Sequence, residues 1–296
     1  MCRALILDCD GVLVDAEQTG HLRAFNEMWR RLDVPWQWAP AEYVSKLSIS
    51  GGRERLASLR DDARFRSAVS VPNDDDDWLG LVGHWHRLKT DIYMDLVRRG
   101  ELEVRVGVRR LAQEAVDSGW GLAVASSGAR RSVELVVGHA LGDRLAAAAV
   151  IVTGECVKAK KPAPDIYLRA ASLLGAEASE CLVVEDTEVG LTAALNAGMT
   201  CVVTLTRHSG GKRFDGAAAV LSALGPTSRA PMRVIANDAM LPLGTEFGLS
   251  SVSARPSSTG APSTARSSQP APTPTASAAS AHAPENLFDG SEPSLP

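Results

Sequence analysis

Two aspartates lie two positions apart near the beginning of the sequence, directly after a run of apolar residues. The run spans Ala4 to Leu7, and Asp8, Asp10 and Gly11 follow it. Two carboxylates placed this close repel each other unless a cation neutralises them. Gly11 lets the backbone turn sharply and point its N–H group toward an anion. The stretch therefore predicts a site where a cation and an anionic group meet.

Further polar residues follow other apolar runs along the chain. Ser126 and Ser127 end the run "GLAVASSG", and Lys161 lies in "KAKKPAPDIY" after a third run. Glu185 and Asp186 follow the run "CLVV". If the runs are strands of one parallel sheet, their carboxyl ends meet at one edge, where open α/β sheets hold their ligands. Each motif is common by itself, whereas all of them in this order favour one functional site.

These residue types suit the transfer of a phosphoryl group. Hard carboxylate oxygens favour Mg²⁺, which shares its ligand shell with water and with a substrate phosphate. A carboxylate can attack phosphorus and form an aspartyl-phosphate, and a second carboxylate on the same side can act as general acid and base. A lysine and a serine can stabilise the charge that develops on the phosphoryl oxygens.

Short apolar runs predict the strands that position these side chains. The runs do not alternate with polar residues, which indicates strands covered on both faces. Helical patterns separate them, as in right-handed βαβ units. We therefore expect an α/β fold with a doubly wound, Rossmann-like parallel sheet. The predicted strands are Ala4–Leu7, Gly121–Ala125, Val150–Val152, Cys181–Val184 and Cys201–Thr204.

Residues 16–100 interrupt this rhythm with amphipathic helical patterns. Phe25 and Trp29 lie at helical spacing on one apolar face, and a second such face follows farther along. The insert predicts a helical cap domain over the strand ends, after which the sheet is expected to resume near Val104–Gly107. The predicted domains are a catalytic core of residues 1–15 and 101–222, a cap of residues 16–100 and a tail of residues 223–296.

Composition limits the remaining possibilities. Residues 223–296 are rich in Pro, Ser, Thr and Ala, so we expect them to be disordered. The net charge of −4 favours neither a nucleic-acid partner nor a membrane surface. No apolar run reaches the ~18 residues that span a bilayer, we expect no signal peptide, and five scattered cysteines are typical of reduced thiols. We expect a soluble intracellular monomer, cytoplasmic or, in a photosynthetic eukaryote, in the plastid stroma.

The motifs resemble, in order, the four motifs of the haloacid-dehalogenase-like hydrolases. The resemblance covers about residues 2–223 and is carried by "DCDGVLVD", "LAVASS", "KKPAPDIY" and "VVEDTEVGLTAALNAGM". It implies that Asp8 is the nucleophile and Asp10 the general acid and base, with Ser126 and Lys161 holding the phosphate. It also implies a Mg²⁺ site with Glu185 as an optional ligand. The implied metal ligands are the Asp8 side chain, the Asp10 carbonyl oxygen, Asp186 and Glu185.

Within this superfamily, the sequence is most similar to CbbY-type sugar-bisphosphate phosphatases of the β-phosphoglucomutase-like branch. The similarity is carried by "DCDGVLVDAEQTGHLRAFNEMW", "GGRER" and "HRLKTDIYM". It implies hydrolysis of xylulose 1,5-bisphosphate, an inhibitory by-product of the CO₂-fixing enzyme, with ribulose 1,5-bisphosphate as a poorer substrate. The chain carries "SSGARR" where related sequences often have a small polar run ending in Asn, so Ser127 and Arg130 are expected to hold phosphate or product differently.

The predicted cap also suits a substrate with two phosphates. Glu17 and His21 are four residues apart, so they share a helical face that should overlook the site. One phosphate would lie at Asp8, and Arg53 or Lys89 would hold the second. The candidate substrate-binding residues are Glu17, His21, Arg53, Arg55, Lys89 and Ser127.

Two other functions stay open at this point. A β-phosphoglucomutase-like mutase would use the same aspartyl-phosphate but return the phosphoryl group to a sugar. A non-catalytic binding protein would use the tail as an interaction segment, although the complete set of motif residues disfavours it. A dehalogenase is disfavoured because its chemistry does not need the acid/base residue or the metal cluster.

Overall fold

The computed structural model describes residues 3–49, 51–228 and 230–253. Seven strands form one sheet in the order β3-β2-β1-β4-β5-β6-β7. The strands are β1 (Ala4–Leu7), β2 (Gly121–Ser126), β3 (Ala149–Thr153), β4 (Cys181–Glu185), β5 (Thr200–Thr204), β6 (Ala219–Leu221) and β7 (Val234–Ala236). All neighbours are parallel except β6 and β7, which are antiparallel. The predicted parallel α/β sheet is confirmed, with β1 between β2 and β4.

Helices cover both faces of this sheet. Alternate residues of β1 pack into different apolar clusters, Leu5 and Leu7 into one and Ala4 and Ile6 into the other. This two-sided burial explains why the strand lacks the alternation of a half-exposed strand. The helices are α1 (Arg23–Arg31), α2 (Pro40–Lys46), α3 (Gly52–Ala57), α4 (Ala63–Ala68), α5 (Asp75–Arg98), α6 (Val108–Asp117), α7 (Arg130–Leu141), α8 (Asp143–Ala148), α9 (Asp165–Leu174), α10 (Glu188–Asn196) and α11 (Ser250–Ser253).

The insert after β1 is helical, as its periodicity predicts. A π-helical turn at Glu17–Leu22 leads into α1, and α1 packs against α5. Phe25 and Trp29 are fully buried among other aromatic side chains of the insert. None of the described helices combines the length and the apolar character needed to cross a membrane. The division at residues 16 and 100 remains a prediction.

Two antiparallel linkers join the insert to the rest of the chain. Val14 and Val104 form an isolated antiparallel bridge, and Asp15 N donates to Glu103 O at 3.0 Å. The expectation that the sheet resumes near Val104–Gly107 is therefore wrong. These residues pair with the outgoing linker, α6 begins at Val108, and the next strand of the sheet begins at Gly121.

The structure differs from the sequence expectation of disorder from residue 223 onward. Strand β7 pairs with β6, and Phe247 is fully buried. Arg110 of α6 donates to Leu224 O at 3.0 Å, and its Nε lies 3.1 Å from a Glu246 oxygen. A few widely spaced apolar residues anchor this extension, and average composition conceals them. The rest of the predicted tail, residues 254–296, lies outside the described residues.

Candidate active site

The polar side chains predicted at the strand ends, except that of Asp186, line one cleft of about 100 Å³. Asp8 directly follows β1, and Ser126 and Glu185 are the last residues of β2 and β4. Because these three strands are adjacent and parallel, their carboxyl ends open at the same edge. Lys161 reaches the same place from the loop before α9. The core residues lining the cleft are Asp8, Asp10, Ser126, Ser127, Lys161 and Glu185, and the predicted cap residues are Glu17, His21, Arg55 and Lys89.

Lys161 joins two carboxylates at the centre of the cleft floor. Its Nζ lies 2.5 Å from Asp8 Oδ1 and 2.6 Å from Glu185 Oε1, and it donates to Ala125 O at 3.2 Å. Burial alone would lower the pKa of Lys161, but the charges of Asp8 and Glu185 raise it above its ordinary value. The lysine is therefore a fixed ammonium group.

Asp8 is buried beside this ammonium group. Burial raises its pKa to about 8, against the attraction of Lys161 and with the help of the negative charge on Glu185. Lys161 alone therefore does not hold Asp8 as a carboxylate at neutral pH. A further cation near Asp8 would favour the ionised form, which is the form that can act as a nucleophile.

Three carboxylates form a cluster that fits a hard divalent cation. Oxygens of Asp8, Glu185 and Asp186 all lie within 4.8 Å of one another. Asp186 Oδ1 is buried and has no hydrogen-bond partner among the described residues. Burial, together with the charges of Glu185 and Asp8, raises the pKa of Asp186 well above its ordinary value. A buried oxygen without a donor, beside two further carboxylates, is the arrangement that Mg²⁺ stabilises.

Gly11 allows this cluster to form next to the backbone. Its φ is +90°, and a Cβ at this position would overlap the Asp186 carboxylate. The glycine that the sequence places after the aspartates is thus needed both for its conformation and for the close approach of Asp186.

Glu185 differs from the other two carboxylates because both of its oxygens already accept hydrogen bonds. Oε1 accepts from Lys161 and, at 2.5 Å, from the Tyr167 hydroxyl. Oε2 accepts from Asp186 N at 3.0 Å and from Thr187 Oγ1 at 3.1 Å. Glu185 thus fixes Lys161, and Asp8 and Asp186 have the more available oxygens.

Asp10 points away from this cluster and toward the helical insert between β1 and α6, the predicted cap. Its Oδ2 lies 3.0 Å from His21 Nε2, and its Oδ1 accepts from the Tyr93 hydroxyl at 3.2 Å. The other ring nitrogen of His21, Nδ1, lies 2.7 Å from Lys89 Nζ. Because an ammonium group can only donate, His21 Nδ1 accepts and Nε2 carries the proton that faces Asp10. Burial alone would raise the pKa of Asp10, but its electrostatic and hydrogen-bonding interactions with His21, together with the charge of Lys89, lower it to about 2.

Glu17 and Arg55 belong to a second polar group on the cap. The Tyr43 hydroxyl donates to Glu17 Oε2 at 2.7 Å and accepts from Arg55 Nη1 at 2.8 Å. Glu17 and His21 both reach the cleft, although they lie on a π-helical turn rather than the predicted α-helix. Arg53, two residues before Arg55, is exposed and does not line the cleft.

Sequence reasoning missed the groups that orient these residues. Tyr43, Tyr93 and Tyr167 each hold a carboxylate of the site. His86 also lines the cleft, and burial, with the nearby charge of Lys89, lowers its pKa to about 4. The spacing of residues on α5 could have identified Tyr93. It lies four residues after Lys89, so the two side chains share one helical face.

Comparisons with known proteins agree with this geometry. The family model of haloacid dehalogenase-like hydrolases matches residues 2–198. A CBBY-like protein from Arabidopsis thaliana is 36% identical over 222 residues, which are 75% of this chain and 69% of that protein. CbbY from Rhodobacter sphaeroides, solved in complex with phosphate, is 33% identical with a TM-score of 0.68 over 75% of this chain and 95% of that chain. A mutant of it, solved in complex with xylulose-(1,5)bisphosphate, is 32% identical with a TM-score of 0.65 over the same shares.

Proposed function

We propose that this chain, which belongs to the haloacid dehalogenase-like hydrolase family as a CbbY-type phosphatase, is Mg²⁺-dependent and hydrolyses xylulose 1,5-bisphosphate. The observation that carries the substrate proposal is the two-sided cleft. Lys161 and the carboxylate cluster lie on the core side, and Arg55 and Lys89 lie on the cap side. A bisphosphate presents one anionic group to each side. The CbbY mutant of similar fold, solved with this bisphosphate, supports the choice of sugar.

Asp8 is the proposed nucleophile. Its carboxylate oxygen forms a bond to phosphorus while the bond from phosphorus to the sugar oxygen breaks, which gives an aspartyl-phosphate and, once Asp10 has protonated the leaving oxygen, the sugar alcohol. Lys161, 2.5 Å from Asp8 Oδ1, and Ser126 are positioned to hold the phosphoryl oxygens as charge develops there. Asp8 and Asp186 would hold Mg²⁺, with the Asp10 carbonyl oxygen and Glu185 as the further expected ligands. When bound, the ion would neutralise the carboxylates and polarise the phosphoryl group.

Asp10 is the proposed acid and base. The sugar oxygen takes a proton from Asp10 as it leaves, and in the second step Asp10 accepts a proton from the water that attacks phosphorus. The water oxygen bonds to phosphorus, the bond to Asp8 breaks, and phosphate departs. His21 and Lys89 keep Asp10 ionised in the free enzyme, which suits the second step. The negative charge of the arriving substrate raises the pKa of Asp10, which allows it to carry the proton for the first step.

The cap residues are proposed to select the sugar. Arg55 and Lys89 are the cations that line the cap side of the cleft, so they would hold the second phosphate. Glu17 and His21 would accept or donate hydrogen bonds to sugar hydroxyls. Arg53 is exposed outside the cleft, which favours Arg55 over Arg53 for this role. Ser127 lines the core side near Ser126 and would contact the transferred phosphate.

The test is phosphate release in the presence of Mg²⁺ from a panel of phosphosugars. The panel contains xylulose and ribulose 1,5-bisphosphates, and β-glucose 1-phosphate with and without glucose 1,6-bisphosphate. We expect fastest release from xylulose 1,5-bisphosphate and none after chelation of the metal. Formation of glucose 6-phosphate without net phosphate release would instead identify a mutase. Equal rates on all the monoesters would overturn the assignment of the cap residues to selectivity.

A further inference from the structure

An ion pair connects the cap side of the cleft directly to the loop that carries Lys161. Lys160 Nζ donates to Glu54 Oε1, joining side chains 106 residues apart in the chain. Glu54 lies on α3, and Lys160 immediately precedes Lys161. Their side chains are 40% and 30% exposed, so the pair lies at the boundary of the molecule with solvent. The pair is separate from the hydrogen bonds that hold Asp8, Asp10 and Glu185.

Glycines on both sides make room for this pair. Gly51 has a φ of +105°, and a Cβ there would overlap Glu54 Oε2 and lie 3.2 Å from Lys160 Nζ. On the core side, a Cβ at Gly154 would lie 3.1 Å from Lys160 Cε. Glu54 Oε2 is buried and has no hydrogen-bond partner among the described residues. Both elements therefore leave space for a close approach of these two side chains.

The cleft beside this ion pair is small compared with typical ligand sites. The cleft measures about 100 Å³, whereas sites for drug-sized ligands measure roughly 300–1,000 Å³. A neighbouring opening of about 200 Å³ lies along the same boundary and is lined by Glu54, His86 and Lys160. Entry of a pentulose bisphosphate between α3 and the Lys160 loop would break the pair, and the return of α3 would re-form it.

We propose that Glu54 and Lys160 are positioning residues that close the cap on the core and fix the loop of Lys161 in the closed state. The pair acts through Lys161 and contributes to catalysis only when α3 lies against the loop. The inference goes beyond the proposed function and rests on it only where turnover is the readout. Salt screens a partly exposed ion pair, so ionic strength offers a second way to weaken the contact between Glu54 and Lys160.

The test compares Glu54→Gln, Lys160→Gln and the charge-reversed double variant Glu54→Lys/Lys160→Glu, with Lys158→Gln as the control. Lys158 is an exposed lysine of the same loop. We expect each single variant to lower kcat/KM for the bisphosphate by roughly fivefold, the upper end for an exposed pair. The double variant should recover most of the loss, and the control should match the wild type. Added salt should lower wild-type kcat/KM toward that of the single variants.

Amide hydrogen exchange without substrate provides a readout that does not depend on activity. We expect faster exchange in α3 and in the segment before Lys161 in both single variants, and restored protection in the double variant. Unchanged exchange and unchanged kcat/KM in the single variants would overturn the proposal, as would a double variant no better than the singles. If the wild type released no phosphate while exchange responded as expected, the proposed function would fail and the closing pair would stand.

Discussion

The core side and the cap side of the cleft hold their charged groups in different ways. On the core side, Asp8, Lys161 and Glu185 are at least nine-tenths buried and lie at or next to the ends of strands. On the cap side, Glu17 and Arg55 are fixed mainly by Tyr43, another residue of the same helical insert. The first set is held by the sheet, and the second set is held by contacts within the insert.

The two ways of holding charge suit two different tasks, stabilisation of the transition state and selection of the substrate. A transition state needs charges that do not rearrange as the reaction proceeds, and strand ends in a packed sheet supply them. Selection of a substrate needs groups that can adapt to its shape, and the long side chains of the helical insert can supply those. Substitution of Asp8, Lys161 or Glu185 should therefore change mainly kcat, and substitution of Glu17 or Arg55 should change mainly KM.

The largest effect is expected from Asp8→Asn. The amide is close in shape to the carboxylate but cannot form the aspartyl-phosphate, so turnover should fall to background. Stability without metal should change little near neutral pH, because the raised pKa of Asp8 already leaves its carboxyl group largely uncharged there. Phosphate release and thermal unfolding measure the two effects. Asp91→Asn, at an exposed position of the cap, is the matched control, and measurable turnover by Asp8→Asn would contradict the role of Asp8.

Lys161→Ala should have the next largest effect. It removes the ammonium group that contacts both Asp8 and Glu185, and loss of one preorganised charge lowers kcat by roughly 10²–10³-fold. Steady-state kinetics at saturating substrate and Mg²⁺ measure the change. Lys158→Ala, in the same loop, should behave as the wild type. A change confined to KM would place Lys161 with the cap residues and remove the contrast between the two sides.

A smaller effect, and one on KM, is expected from Arg55→Gln. Its guanidinium is largely buried, bonds to Tyr43 and faces the cleft, so its loss should raise KM for the bisphosphate by roughly tenfold and leave kcat within a factor of about two. Arg53→Gln is the matched control on the same helix. Because Arg53 is exposed outside the cleft, KM should remain near the wild-type value. A larger effect at Arg53 would reverse the choice between the two arginines.

The core half of the site was predictable from sequence because the position of a residue at the end of a parallel strand is fixed by the sheet. Once an apolar run is recognised as a strand of a parallel sheet, the residue at its carboxyl end must lie at the ligand-binding edge. This argument located Asp8, Ser126 and Glu185, and a motif located Lys161. It did not show that both oxygens of Glu185 are already bonded, because Tyr167 comes from a helix on the far side of a loop.

The cap half was less predictable because a helix presents side chains all around its axis. Arg53 and Arg55 follow the same glycines, and only the packing of α3 shows that Arg55 turns inward. The π-helical turn that carries Glu17 and His21 has no signature in the spacing of its residues. Sequence reasoning also missed the ordered extension after residue 223. Single buried residues such as Phe247 anchor it, and they are too few to change the average composition of the segment.

Two buried tyrosines allow a direct test of the contrast between core and cap. The Tyr167 hydroxyl donates to Glu185, and the Tyr43 hydroxyl donates to Glu17. Each change to phenylalanine removes one hydrogen bond to a carboxylate, an effect of roughly tenfold. We expect Tyr167→Phe to lower kcat and Tyr43→Phe to raise KM, both measured with the bisphosphate. If both variants changed the same constant, the two sides would not be separate in function.

The free energy of unfolding should also depend on pH, with opposite signs at Asp8 and at Asp10. Burial raises the pKa of Asp8 from 3.8 to about 8, so between these values the folded protein binds more protons than the unfolded chain. The free energy of unfolding therefore falls as pH rises through this range. The pKa of Asp10, lowered to about 2 by His21 and Lys89 despite burial, gives stability that is lost only as pH falls below about 4.

Mg²⁺ should act on the Asp8 part of this dependence and not on the Asp10 part. Because the ion binds the ionised cluster, its binding releases protons, and its stabilising effect should grow as pH rises toward 8. Melting temperatures with Mg²⁺ and with chelator, at about pH 5 and about pH 8, should show a larger shift at the higher pH. Asp8→Asn should reduce that increase and leave the part that comes from Asp186, whereas Glu17→Gln on the cap should retain the whole increase. A shift independent of pH would mean that the metal does not compete with a proton at Asp8.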